Sequence, residues 1–304
     1  MTAGYRCSVA ALQRGDPLLA TASPARRWLL IEEPGGWGTD GLTTSRIDAD
    51  VASTLAAKAA NSGVRVQLIR RPGRRRNRIA GRQVAMVHTD RGAERSWWST
   101  VHSDAELLDI AFDGAGGTPS VEPIYLVCTH GRKDVCCAMF GRPIAEHLAA
   151  HRPDATWETS HVGGDRFAAN LVLLPHGLYY GRMSTDTALA AVKAYEGGLV
   201  VPHQLRGRSG HPPHVQAAEC YARVELSASG LDALAPSGVE ELEPNLWQVR
   251  LADGPDTVTV TVRAVMSPLP AQLTCATRHA SHYRTFDLVE LHIDHAQPSS
   301  WSAS

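Results

Sequence analysis

No apolar run in this 304-residue chain approaches the ~20 residues that a membrane-spanning helix needs. The longest are of the order of Leu171–Leu174. Charge of one sign is missing too. Lys+Arg 30 against Asp+Glu 31 leaves a formal net charge of −1, and hydrophobic residues make up 43%. That balance excludes a disordered chain and argues against a nucleic-acid binder, which would be basic overall. An N-terminal h-region is absent, because Gln13, Arg14 and Asp16 break up the apolar residues. No secretory signal is expected, and a cytoplasmic location with reduced thiols is. Nucleotide and hydrolase fingerprints are lacking as well. Gly35-Gly36-Trp37-Gly38 has the wrong spacing for G-x-G-x-x-G, and neither G-x-S-x-G nor H-E-x-x-H occurs. Any electrons must therefore come from a separate donor.

The pattern of elements occurs twice. Arg27–Glu32 reads as a buried strand, Ile47–Ala60 as a helix and Val64–Ile69 as an alternating strand. Gln83–His88 and Glu94–Ser99 read as a hairpin around Asp90-Arg91-Gly92, and Ser103 with Glu106 as the cap of a helix to Ala111. After the linker-like Asp113–Ser120, the order recurs. Ile124–Cys128 is a strand, Ala138–His151 a helix and Thr156–Ser160 a strand. Leu171–Leu174 and Leu178–Arg182 form a hairpin, and Asp186–Glu196 is a helix. A helix between two strands implies a parallel crossover, and the hairpin makes the sheet mixed. The expected fold is α/β (α+β), with two thioredoxin-like units at 1–118 and 119–200. A small α+β region follows at 201–304. In that region Pro213–Leu226 reads as a helix and Leu231–Ala235 as a short one. Trp247–Leu251 and Thr257–Val265 read as a hairpin, and Phe286–Ile293 as a last strand.

Three of the six cysteines, Cys128, Cys136 and Cys137, fall within ten residues. In a reducing compartment such clustering points to metal, redox or catalytic chemistry. The segment Cys128–Cys137 leaves one strand, and Ser160–Asn170 leaves the next. The fold would put both loops at one sheet edge, where His161 could meet the thiols. Thiolates with imidazole select zinc, copper(I) or iron–sulfur clusters. Zinc fingers are excluded because no C-x2-C exists, and a Rieske centre because no C-x-x-H accompanies Cys128-Thr129-His130. Cys7, Cys220 and Cys275 read as small core hydrophobes. Trp97-Trp98 reads as packing. Seven arginines between Arg70 and Arg82 read as a solvated loop or a dock for an acidic redox partner, with nucleic acid the least expected.

These motifs resemble the sucrase/ferredoxin-like family. Its loop C-x-H-x-x-[RK]-D-x-x-C is matched by Cys128, His130, Lys133, Asp134 and Cys137. Its second element, S-H-[IV]-G-G-[HD]-[KR]-[FY]-A-[GA]-N, is matched by Ser160–Asn170, and its Y-G by Tyr180-Gly181. No sucrase activity is implied. The resemblance implies a thioredoxin-like ferredoxin with one [2Fe–2S] cluster, held by Cys128, Cys137, His161 and the position of Asp165. Asp stands there in place of a second His, and Thr159 stands where bacterial relatives often have Cys. The fourth ligand is therefore open among Asp165, Cys136, Cys275 and His130. Lys133 and Arg166 are candidate charges near the cluster. The function expected is [2Fe–2S] electron transfer with a separate redox partner protein. An oxidoreductase acting on a small molecule, and a zinc or metal-free binding module, are the alternatives.

Overall fold

Trp28 to Glu32 is buried at every position, which a strand tolerates only where both faces of its sheet are covered. The structure, a computed structural model, describes residues 4–73 and 81–295 and places that run inside such a sheet. A short helix, α1 (Cys7–Gln13), precedes it. Then β1 (Arg27–Glu32), α2 (Ala49–Asn61), β2 (Val64–Arg70), β3 (Arg82–His88), β4 (Arg95–Val101) and β5 (Thr118–Ser120) form the first unit. β2 runs parallel to β1, and β3 and β4 are antiparallel. The second unit is β6 (Ile124–Cys128), α3 (Val135–His151), β7 (Thr156–Thr159), β8 (Leu171–Leu174), β9 (Leu178–Tyr180) and α4 (Thr185–Glu196). Its pairing repeats the first: β7 is parallel to β6, and β8 and β9 are antiparallel. The order β9-β8-β6-β7 matches β4-β3-β1-β2, as the repeated sequence pattern predicts.

The two units join edge to edge. β7 pairs antiparallel with β2, Ile69 opposite Thr159 and Arg70 opposite Glu158. With β10 (Leu205–Arg208) on the β9 edge, one ten-stranded sheet results. Trp98 stacks on Trp157 across the join, with centroids 5.7 Å apart. The remaining elements are α5 (Pro213–Glu225), β11 (Ala235–Glu243), β12 (Leu246–Asp253), β13 (Asp256–Met266), β14 (Ala271–Gln272), β15 (Ala280–Ser281) and β16 (Arg284–Asp294). β11, β12, β13 and β16 make a four-stranded antiparallel sheet. Ala217, Ala218 and Ala222 of α5 pack on Val249, Leu251, Val260 and Val262 of that sheet. Cys220 of the same helix reaches the core of the second unit. Among the described residues no helix is long and apolar enough to cross a membrane.

Three local differences have physical causes. Ser103 donates to Glu106 Oε1 (2.8 Å) rather than accepting a backbone N–H, and only a 3₁₀ turn forms, Ala105–Asp109. Leu234 adopts a left-handed φ of 61°, which stops a helix at Leu231–Ala235 before β11 begins. α3 starts three residues earlier than its apolar face suggests. Asp134 is its N-cap, accepting from Cys136 N at 2.8 Å and satisfying an otherwise unpaired N–H. Cys136 and Cys137 therefore stand in the first turn of the helix, not in the loop before it.

Candidate metal centre

Two strand ends and one helix start build the centre. Cys128 is the last residue of β6, in the core beside Trp28, Trp157, Val162 and Tyr179. α3 lies directly over it at Gly141, where a Cβ would run into the Cys128 carbonyl oxygen. A mid-helix glycine costs about 1 kcal/mol against alanine, and here it permits the close approach. Cys137 faces Cys128 from the first turn of α3. His161 comes from the loop after β7. Ligand atoms of Cys128, Cys137 and His161 all lie within 4.8 Å of one another. Asp165 adjoins them: its Oδ1 is 3.0 Å from His161 Nδ1 and accepts from Cys137 Sγ at 3.4 Å. The structure thus gathers Cys128, Cys137 and His161 mutually, with Asp165 beside His161 and Cys137 at the margin of that group.

The electrostatics are uneven. The Cys137 thiol, followed by His161, stabilises the Cys128 thiolate against burial and holds it well below the usual thiol range. Cys137 is pushed the other way, by Cys128 first and by burial second. Burial opposes a charged His161, but Cys128 and Asp165 outweigh it and raise the ring above its ordinary value. Burial lifts Asp165 to about 6. Despite its 3.0 Å approach, His161 Nδ1 makes no aligned hydrogen bond and is a buried ring nitrogen without a partner. The thiols are fully buried, whereas the His161 side chain is 23% exposed, so the imidazole is the solvent-side edge.

The loop that carries His161 is fixed from several directions. Its N–H donates to His130 Nδ1 (3.2 Å), and its carbonyl accepts from Gln67 Nε2 (3.2 Å). His130 Nε2 lies 2.8 Å from Gly38 O. Both His130 nitrogens are thereby committed, with Nε2 carrying the proton, and this ring positions His161 instead of joining it. Arg206, only 1% exposed, donates to Gly163 O (3.0 Å) and Asn170 Oδ1 (2.7 Å) beneath the loop. Nothing in the sequence singles it out, since it lies on β10, outside both motifs. Gly164 has φ of +79°, and a Cβ there would strike the Arg206 guanidinium. Gly164→Ala is expected to cost more than the ~1–3 kcal/mol of a strained backbone alone. Gly198→Ala, at φ of +74° with open space around it, should show the strain alone. Urea unfolding of the two variants checks this.

The other sequence candidates lie elsewhere. Cys136 and Cys275 group with Cys7 and Asp134 in a separate cluster. Lys133 makes an exposed pair with Asp40 (3.4 Å). Arg166 lies over the Tyr283 ring (4.2 Å) and 3.5 Å from Asp16. Arg70 pairs with Glu158 (2.6 Å), Arg71 stacks on Trp157 (3.5 Å), and Arg82 pairs with Glu33 and Asp104. The docking expectation for Arg70–Arg82 also falls on Arg74, Arg75, Arg76 and Arg78, which lie outside the described residues. A cleft of about 470 Å³ opens beside His130, and Arg70, Arg132 and Arg142 line it.

A family model described as sucrase/ferredoxin-like matches residues 18–207, more than half of the chain and all of the centre. No curated protein and no solved structure matches.

Proposed function

The chain belongs to the sucrase/ferredoxin-like family, and from that premise we propose that it is an electron carrier holding one [2Fe–2S] cluster on Cys128, Cys137, His161 and Asp165. The observation that carries this reading is the donor set. Two fully buried thiols and the His161 imidazole converge. A buried thiolate is costly unless a cation compensates it, and soft thiolates with imidazole suit iron–sulfur ligation. When bound, the cluster supplies one-electron transfer. His161 holds its side at the partly exposed edge, and imidazole in place of thiolate raises the potential above that of an all-Cys ferredoxin. Asp165 is a hard ligand and the unusual member.

The test is anaerobic purification followed by iron and acid-labile sulfide assays, with EPR after dithionite. About two irons and two sulfides per chain are expected. A colourless protein that takes up no iron on reconstitution would sink the proposal. Asp165→His should retain the cluster and raise its potential, on the order of 100 mV, because a neutral ring replaces an anion. A redox titration reads the shift. Electrons would pass to and from a separate redox protein. Docking of an acidic partner at Arg70–Arg82 and at the arginine-lined cleft would make the exchange rate fall as salt rises.

A further inference from the structure

The first turn of α3 presents thiols on two sides. Cys137 faces the centre already described, and Cys136 faces a second group. There Cys7 comes from α1, Asp134 and Cys136 from the start of α3, and Cys275 from the segment between β14 and β15. The four ligand atoms lie within 4.8 Å of one another. Cys136 Sγ is 3.5 Å from Cys275 Sγ, and Cys7 Sγ is 3.5 and 3.7 Å from the two oxygens of Asp134. A tetrahedral ion bonded at ~2.3 Å to sulfur and ~2.0 Å to oxygen needs ligands roughly 3.5–3.8 Å apart. These pairs already stand on the edges of such a tetrahedron.

The surroundings fit a closed site. Cys7 and Cys136 are fully buried and Asp134 is 2% exposed, with Ala168 and Phe140 packed against the group. The carboxylate is held in place by Cys136 N on Oδ1 (2.8 Å) and Cys275 N on Oδ2 (2.6 Å). Outer hydrogen bonds of this kind fix ligating carboxylates, and each oxygen keeps a second lone pair. A Cys136–Cys275 disulfide would use only two of the four groups and would need an oxidant. Four protein ligands with no position left over are the pattern of structural zinc, and three thiolates with one carboxylate suit zinc better than copper(I). We propose that Cys7, Asp134, Cys136 and Cys275 form a second metal site, closed and structural, that takes a single zinc ion. It ties the N-terminal helix and the 273–279 segment to the start of α3.

The proposal does not depend on the cluster reading, and the experiment keeps the two apart. The full-length protein is incubated with one equivalent of Zn²⁺, desalted, and assayed for zinc, iron and sulfide separately. Cys128→Ser/Cys137→Ser should retain about one zinc per chain. Its zinc X-ray absorption should show three sulfurs at ~2.3 Å and one oxygen at ~2.0 Å. Cys7→Ser/Cys275→Ser should lose that zinc, at least about fivefold, and keep any iron and sulfide. The proposal is overturned if zinc disappears with Cys128 and Cys137 but stays without Cys7 and Cys275. A two-sulfur zinc environment overturns it, as does a Cys136–Cys275 disulfide persisting in reductant. The absorption measurement on the first variant decides the matter even if the second does not fold.

Discussion

Cys137→Ser is expected to abolish the visible absorption and the bound iron and sulfide while the protein stays folded. Serine is close in size, and its hydroxyl can donate to Asp165 as the thiol does at 3.4 Å. The packing beside Cys128, Trp157 and Tyr179 therefore survives. What serine cannot supply is a soft ligand. The loss should exceed the roughly 10–100-fold that outer-shell substitutions cost. Cys220→Ser is the matched control. That thiol sits in the apolar core of the second unit, so the change should reduce stability and leave the spectrum alone. Iron assay, visible spectrum and circular dichroism on the two proteins separate these outcomes. A wild-type spectrum from Cys137→Ser would remove this residue from the ligand set.

Glu219→Gln should destabilise the protein by about 3–5 kcal/mol, the usual cost of stripping one partner from a buried ionic network. Glu219 on α5 is 2% exposed, accepts from Arg223 Nη2 at 3.1 Å, and lies 3.2 Å from His211 Nδ1. Arg91 of the β3–β4 turn approaches within 3.8 Å. Arg208 of β10, itself wholly buried, pairs with Glu94 at 3.2 Å. Burial opposes the charge of Glu219, but His211, Arg208 and Arg223 outweigh it and hold the carboxyl well below the usual range. The sign follows. The folded value lies below the unfolded one, so the stabilisation is complete above the ordinary carboxylate pKa. It is lost as pH falls through the folded value. Wild-type stability should therefore fall on acidification through this group, and that part of the pH dependence should vanish in Glu219→Gln. Urea unfolding between neutral and acid pH measures both effects.

The fold was legible where one pattern decided it. Arg27–Glu32 and Ile124–Cys128 coincide with β1 and β6 residue for residue, because central strands are apolar throughout. Cys128, Cys137 and His161 are legible from residue type and spacing, and Asp165 only from the resemblance to the sucrase/ferredoxin-like motif. Other parts lacked a local signal. α1 is a short helix with no side-chain cap, and β11 has no buried position, so neither has a strong signal in its own sequence. In sequence Cys7 reads as packing, and Cys275 as packing or a fourth ligand of the other centre, because their convergence on Asp134 spans most of the chain. Arg206 and Glu219 look like surface charges in sequence. Only their long-range partners make them internal.

The seam between β2 and β7 bears on how portable the centre is. All four proposed ligands lie in the second unit, yet their frame is borrowed. Ser160 N donates to Leu68 O (2.8 Å), Leu68 N donates to Ser160 Oγ (3.0 Å), and Gln67 holds the His161 carbonyl. The cysteine-poor first unit thus acts as a ruler against which the His161 loop is laid. Deleting a single residue from β2 would turn its side chains over and take Gln67 away from that carbonyl without touching a ligand. The ligand-bearing half cannot be transplanted by itself: what would have to travel with it is the neighbouring strand that sets its register.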